Sequence, residues 1–206
     1  MKILLVNTIA KGQGIRTSLG TAILGTILKN AGHDIEVVDF NHLYHQGLIR
    51  AEAFEEPDLH TFGSYLLELS PDVICFYTMC NAYHISILTA KYVKENNPSI
   101  FVALGGPQAS ASALETMTAF SWIDLIGLGE GEWTITDIME AVFNNTDFTR
   151  IDGVCYRENG SIRINPYHKV IEDLDKLPLI DYSLIHDIDK TDTVSIEVGR
   201  GCPGPL

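Results

Sequence analysis

Four short segments of the chain carry the residue types best suited to holding a ligand. Thr17-Ser18-Leu19-Gly20 ends a loop over 7–20 that also contains Gly12 and Gly14, and it runs into a helix start whose free amides attract acceptor oxygens. Thr78-Met79-Cys80-Asn81 sets small and polar groups after an apolar run. Gly105-Gly106-Pro107-Gln108 combines two residues without Cβ, one fixed φ and one side-chain amide, which lets backbone lie flat against a large planar molecule. Gly129-Glu130-Gly131-Glu132 offers a tight turn followed by acids at a helix start, where the helix dipole favours them. Each segment also has a plainer reading, as a flexible surface loop, a strand-to-helix joint, a bare turn or a capping sequence.

Other chemistry is thinly supplied. Neither G-x-x-x-x-G-K-[ST] nor G-x-G-x-x-G spacing occurs in the 7–20 loop, which removes support for ATP and dinucleotide readings. The cysteines Cys75, Cys80, Cys155 and Cys202 show no zinc-type pairing. The first three read as small buried apolar residues, whereas Cys202 stands in Gly199-Arg200-Gly201-Cys202-Pro203. Asp58-x-His60-x-x-Gly63 follows the second predicted strand rather than the first, away from the first-strand loop. An exposed or capping role for His60 is therefore expected.

The elements that must position these segments alternate. Apolar runs over 2–7, 34–39, 72–77, 100–105 and 123–127 are each followed by a loop and then helical periodicity, the pattern of a parallel sheet with crossover helices. In the first helix Leu19, Ile23, Ile27 and Ala31 recur every four residues between Ser18 as cap and Gly32 as stop. Further helices are predicted over 58–69, 84–96, 110–119 and 132–144. In an open parallel sheet the ligand crevice lies beyond the carboxyl ends of the strands, where all four segments would meet. After 146 the rhythm changes: Val154-Cys155-Tyr156-Arg157 and Ile162-Arg163-Ile164 flank Asn159-Gly160, a tight hairpin signal. Residues 168–192 read as a connector, and 193–198 as one more strand.

With 206 residues, 46% apolar and 20% charged, the chain can bury one full-sized core with a small appendage. A net charge of -13, from 27 acidic and 14 basic residues, without any Lys/Arg cluster, argues against a nucleic-acid partner. Met1 leads directly into Lys2-Ile3-Leu4-Leu5-Val6, with neither an h-region nor a run of about 20 apolar residues. A cytoplasmic protein without a membrane partner is expected.

On these residues the chain resembles the N-terminal cobalamin-binding domain of the B12-dependent radical SAM enzymes. The resemblance rests on Ser18-Leu19-Gly20, Gly32-His33-Asp34, Gly105-Gly106-Pro107 and Gly129-Glu130-Gly131-Glu132. It extends to Asp152-Gly153-Val154 in the hairpin, Leu174-Asp175-Lys176-Leu177-Pro178 in the connector and Arg200-Gly201-Cys202-Pro203. It implies a flavodoxin-like Rossmann fold, a five-stranded parallel sheet with helices on both faces, followed by a small β-hairpin and connector. Residues 1–146 would form the cobalamin-binding domain, 147–192 the hairpin and linker, and 193–206 the first strand of a truncated radical SAM barrel that acts as a partner in cis.

Cobalamin is the implied cofactor, contacted by Thr17, Ser18, Leu19, Gly20, Thr78, Met79, Cys80, Asn81, Gly105, Gly106, Pro107, Gln108, Gly129, Glu130, Gly131 and Glu132. Relatives often have His where Gln108 stands; an amide can bond the corrin edge but not change charge with pH. Cys202 corresponds to the first of three thiolates that hold a [4Fe-4S] cluster with S-adenosylmethionine on its free iron. The family spacing puts the second at 206, where Leu206 stands. This chain by itself is thus expected neither to assemble the cluster nor to cleave S-adenosylmethionine. For the intact enzyme the resemblance implies methyl transfer through cobalamin or a rearrangement, started by a 5′-deoxyadenosyl radical. The alternatives are a relative that kept the fold without B12, and another doubly wound nucleotide-binding enzyme, for which no acidic metal motif is evident. A phosphoacceptor receiver domain would need an Asp at 76–78, where Phe76-Tyr77-Thr78 stands.

Overall fold

In the first strand, β1 (Lys2–Asn7), Ile3, Leu4, Leu5 and Val6 are all buried. A strand with both faces covered belongs in the middle of a parallel sheet. The computed structural model describes residues 1–9, 18–50, 56–166, 170–185, 188 and 195–200. In it β1 pairs in parallel with β2 (Asp34–Asp39) on one side and β3 (Val73–Tyr77) on the other, and β4 (Phe101–Gly105) and β5 (Leu125–Gly127) follow, also parallel. The order β2-β1-β3-β4-β5 is the flavodoxin-like one, with its switch point between β1 and β3.

The sheet has seven strands rather than the five expected. β6 (Val154–Glu158) runs antiparallel to β5, and β7 (Ser161–Asn165) closes the hairpin at the sheet edge. The reason is local to β5, whose second edge would otherwise leave backbone groups unpaired beside the core. Val154, Cys155 and Tyr156 bury fully against it. Asn165 Nδ2 fastens the hairpin by donating to the carbonyls of Phe148 at 2.7 Å and Ile151 at 2.8 Å. Asn159 and Gly160 have φ of 50° and 78°, the two positive values that a two-residue hairpin turn requires.

Helices cover both faces. α1 (Leu19–Asn30) and α7 (Ile135–Asn144) pack on one, where Ile3, Leu5, Ala103, Leu125, Ile138 and Met139 share a core. The other carries α2 (Phe40–His45), α3 (Glu56–Glu68), α4 (Tyr83–Asn96), α5 (Pro107–Ala111) and α6 (Ala113–Ala119), around Phe40, Phe62, Phe76 and Met117. The helix expected over 110–119 is two, because the chain leaves helical geometry at Ser112 (φ −128°, ψ 32°). The helix expected over 132–144 begins as a 3-10 turn over Gly131–Trp133. α2 was not foreseen. Its cap is Asp39, whose carboxylate accepts from the amides of Asn41 at 3.0 Å and His42 at 3.1 Å.

The connector does not trail away from the sheet. It crosses α1: Asp181 accepts from Lys29 Nζ at 2.6 Å, its amide donates to Thr26 Oγ1 at 2.9 Å, and Ile185 bridges Val37 of β2. Gly25 makes room, since a Cβ there would lie 3.2 Å from Leu184 Cδ1 and 3.3 Å from Leu5 Cδ1. Of the strand expected over 193–198, residues 195–198 join no ladder and 193–194 lie outside the described residues. Ser195 is instead held through its carbonyl by the Tyr182 hydroxyl at 2.7 Å.

Candidate functional site

A row of facing residues runs across the middle of the sheet on the α1/α7 side: Val37, Leu5, Cys75, Ala103, Leu125 and Tyr156. Its centre is small. With Cys75 and Ala103 between Leu5 and Leu125, the sheet floor dips, and a cavity of about 1200 Å³ lies over it. Ile23 and Leu24 of α1 and Ile135, Ile138 and Met139 of α7 form the walls. The mouth lies at the carboxyl ends of β1, β3, β4 and β5, at Asn7, Tyr77, Gly105 and Gly127. Its volume exceeds the range of roughly 300–1,000 Å³ that serves drug-sized ligands.

The loop after β4 owes its shape to two residues. Gly106 sits at φ 93°, and a Cβ there would lie 2.8 Å from the carbonyl oxygen of Thr78 and 3.0 Å from Tyr77 Cδ2. Only glycine fits that approach. Thr78, fully buried, clips the loop in place: its hydroxyl donates to the Gly105 carbonyl at 2.8 Å and accepts from the Ala109 amide at 3.0 Å. Pro107 then opens α5 at the position where a missing N–H costs nothing. Ser110 joins this loop to the next by accepting from the Gly129 amide at 3.2 Å.

Of the residues singled out in the sequence, Ser18, Leu19, Gly20, Met79, Gly105, Gly106, Pro107, Gly129, Glu130, Gly131 and Glu132 line the cavity. Thr78, Cys80, Asn81 and Gln108 do not. Thr78 supports the loop from behind. Gln108 turns to Ser112, its Nε2 3.4 Å from Ser112 Oγ. Cys80 is exposed rather than buried, because it sits in the turn beyond the end of β3. Thr17 and Cys202 lie outside the described residues.

Burial pushes the Cys75 thiol on the cavity floor up to about 12 and raises the Tyr77 phenol at the mouth, so both stay neutral. Cys155, buried in β6, is likewise pushed up by burial, to about 11. Tyr77 donates to Met79 Sδ at 3.4 Å, which orients the thioether at the mouth.

Three groups in the site were not read from the sequence. Leu177, Pro178, Leu179 and Tyr182 of the connector form a further wall; α7 forms another; and Ser195, Ile196, Glu197 and Arg200 lie across the mouth. Arg200 bonds Glu130 at 3.3 Å and Glu132 at 2.5 Å. The partners are 70 and 68 residues apart in sequence, beyond any local signal. Only the tertiary fold brings them together.

His60 lies elsewhere. It is exposed on α3, stacked on Tyr92 of α4 with ring centroids 4.7 Å apart. Gly63 is explained by the same ring, since a Cβ there would run into Tyr92 Cδ1. The Asp-x-His-x-x-Gly spacing is thus a helix–helix contact. Among the described residues no His/Cys/Asp/Glu cluster could hold a metal ion, and no helix is long and apolar enough to cross a membrane.

The chain is 29% identical over 189 residues to an uncharacterized methyltransferase of Pyrococcus horikoshii, covering 90% of this chain and 38% of that protein. It is 25% identical to the anaerobic magnesium-protoporphyrin IX monomethyl ester cyclase of Synechocystis, covering 98% of this chain and 41% of that one. The chain thus spans about two fifths of the length of these relatives. Among solved structures, the radical S-adenosylmethionine methyltransferase TsrM of Kitasatospora setae with cobalamin and a [4Fe-4S] cluster bound superposes with TM-score 0.64 at 18% identity. That match covers 86% of this chain and 30% of TsrM. The cobalamin-dependent S-adenosylmethionine radical enzyme OxsB with aqua-cobalamin bound gives TM-score 0.64 at 20% identity, over 82% of this chain and 22% of OxsB. These structures share the fold. The B12 binding domain model matches residues 7–139, and the chain belongs to that family.

Proposed function

We propose that this chain is the cofactor-holding part of a cobalamin-dependent radical SAM enzyme of the methyltransferase type, and that the cavity over Cys75 and Ala103 is where the cobalamin sits. The observation that carries the reading is the pairing of a deep apolar slot between α1 and α7 with a mouth ringed by glycine backbone at 105–106 and 129–131. A large cofactor with a flat ring and a long tail needs both.

In this reading Gly105, Gly106 and Pro107 bring backbone flat against the corrin edge, and the Thr78 clip keeps them there. Ser18, Leu19 and Gly20, at the start of α1, border the tail's entry to the slot. Ile23, Ile138 and Met139 exclude water along its length. The protein binds and orients; cobalamin, when bound, supplies an alkyl-carrying cobalt for group transfer. No histidine lines the cavity among the described residues, so no imidazole from this chain is assigned to the metal. The [4Fe-4S] cluster and S-adenosylmethionine belong to the same proposal, with Cys202 as one thiolate ligand and the remaining chemistry in a radical SAM barrel.

The test is titration of the purified chain with hydroxocobalamin, desalting, and an absorbance spectrum of the retained protein. Stoichiometric retention, with a spectrum unchanged by His60→Ala, is expected. A folded chain that retains no cobalamin overturns the cofactor assignment and favours a B12-free relative. Loss of retention in His60→Ala overturns the assignment of that residue to helix packing.

A further inference from the structure

The guanidinium of Arg200 sits among three carboxylates. Nη2 bonds Glu132 Oε1 at 2.5 Å, Nη1 bonds Glu130 Oε1 at 3.3 Å, and Nε bonds Glu197 Oε1 at 2.8 Å. The cluster is partly withdrawn from water, with side-chain exposures of 22% for Arg200, 20% for Glu130 and 7% for Glu132. Glu130 also holds the connector, its Oε2 accepting from the Ile171 amide. One turn at the cavity mouth therefore anchors the chain at two places, residue 171 and residue 200.

Among the described residues, the rest of the segment makes few further bonds. Ile196 and Val198 are 72% and 91% exposed, and residues 195–200 form no ladder. Beyond the Arg200 cluster, the Tyr182 hydroxyl donates to the Ser195 carbonyl at 2.7 Å. Yet Ser195, Ile196, Glu197 and Arg200 all border the cavity. Among the described residues, Arg200 makes most of the polar bonds that hold this segment across the mouth. Arg200 also stands two residues before Cys202.

We propose that Arg200 is a positioning residue that clasps segment 195–200 onto the Glu130/Glu132 turn across the cavity mouth, so that occupancy of the cavity and the position of the chain leading to Cys202 are coupled. The inference rests on the cavity being the cobalamin site. Its physical basis is the forked guanidinium, which bonds Glu197 of the segment and Glu132 and Glu130 of the turn at once; without it the segment loses these bonds to the turn and swings out. Lysine would replace the charge but not the forked donors that reach all three acids. Coupling of this kind works in both directions, so bound cofactor must in turn hold the segment down.

The experiment compares the wild-type chain with Arg200→Met, Arg200→Lys and the charge swap Arg200→Glu/Glu132→Arg. The first readout is the rate at which bound hydroxocobalamin is released into excess competing binder. The second is the rate of Glu-specific protease cleavage after Glu197, followed by mass spectrometry with and without hydroxocobalamin. Release should be about fivefold faster or more in Arg200→Met, less affected in Arg200→Lys, and largely restored in the swap. Cofactor should slow cleavage after Glu197 in wild type and fail to do so in Arg200→Met. Release at the wild-type rate from Arg200→Met, or cleavage indifferent to cofactor in wild type, overturns the coupling. Failure of wild type to retain cobalamin overturns the cofactor reading and the coupling with it; that result is seen before any variant is compared. Equal cleavage of cofactor-free wild type and Arg200→Met would separately overturn the clasp.

Discussion

At the scale of single residues, the cavity mouth depends on atoms that are absent. Gly106 combines a positive φ of 93° with a carbonyl oxygen 2.8 Å from where a Cβ would stand. Gly32 and Gly160 also have positive φ but no neighbour within 4 Å. Gly106→Ala should therefore lower stability by roughly 1–3 kcal/mol, read from the denaturant midpoint, and weaken cobalamin retention as the loop shifts off Thr78. Gly32→Ala carries only the backbone part of that cost. A stability loss in Gly106→Ala no larger than in Gly32→Ala would sink the close-approach argument. The motif Gly-Gly-Pro is readable in sequence, but which of its glycines is irreplaceable is not, because the carbonyl it meets lies 28 residues earlier.

At the scale of elements, the connector over 170–185 is the part whose role changes most between sequence and structure. Its weak periodicity marks a linker, yet Asp181 ties it to α1. The Lys29 ammonium and the Ser183 hydroxyl bond that carboxylate and lower it from 3.8 to about 2. A carboxyl lowered by folding stabilises the docked state above its ordinary value and loses that contribution as pH falls toward the folded value. Docking of the connector should hold at pH 5 and loosen between about pH 4 and pH 2, read as faster proteolysis near residues 179–182 by an acid-active protease. Asp181→Asn should remove most of that pH dependence. The pair is partly exposed, so the effect is expected to weaken in high salt. α2 makes the complementary point: Asp39 before Phe40 is an N-cap signal in plain view, but six residues are too short for periodicity to register.

At the scale of the whole molecule, the cavity joins walls from both ends of the chain, from Leu5 in β1 to Arg200. A ligand that fills it bridges the sheet, α1, α7 and the connector. Binding to the folded chain alone must then raise its stability by about 2.7 kcal/mol at 100 times the dissociation constant. Thermal melting with excess hydroxocobalamin should show a single transition moved upward, with the connector and sheet melting together. A connector that melts early and independently of cofactor would show that its wall of the cavity is not engaged.

The sequence by itself determined the parallel strand–helix alternation, β1–β5 within a residue or two, the hairpin turn at Asn159-Gly160 and part of the cavity lining, including Gly20, Met79, Gly106 and Gly131. These follow from local periodicity and turn chemistry, which neighbouring residues carry. The tertiary structure alone decided that β6 completes the sheet beside β5, that Cys75 and Ala103 form a low floor under α1 and α7, and that His60 serves Tyr92. It also set Arg200 against Glu130 and Glu132. Each of those pairings joins positions distant in the chain, and their cost or gain depends on which surfaces the fold brings within reach.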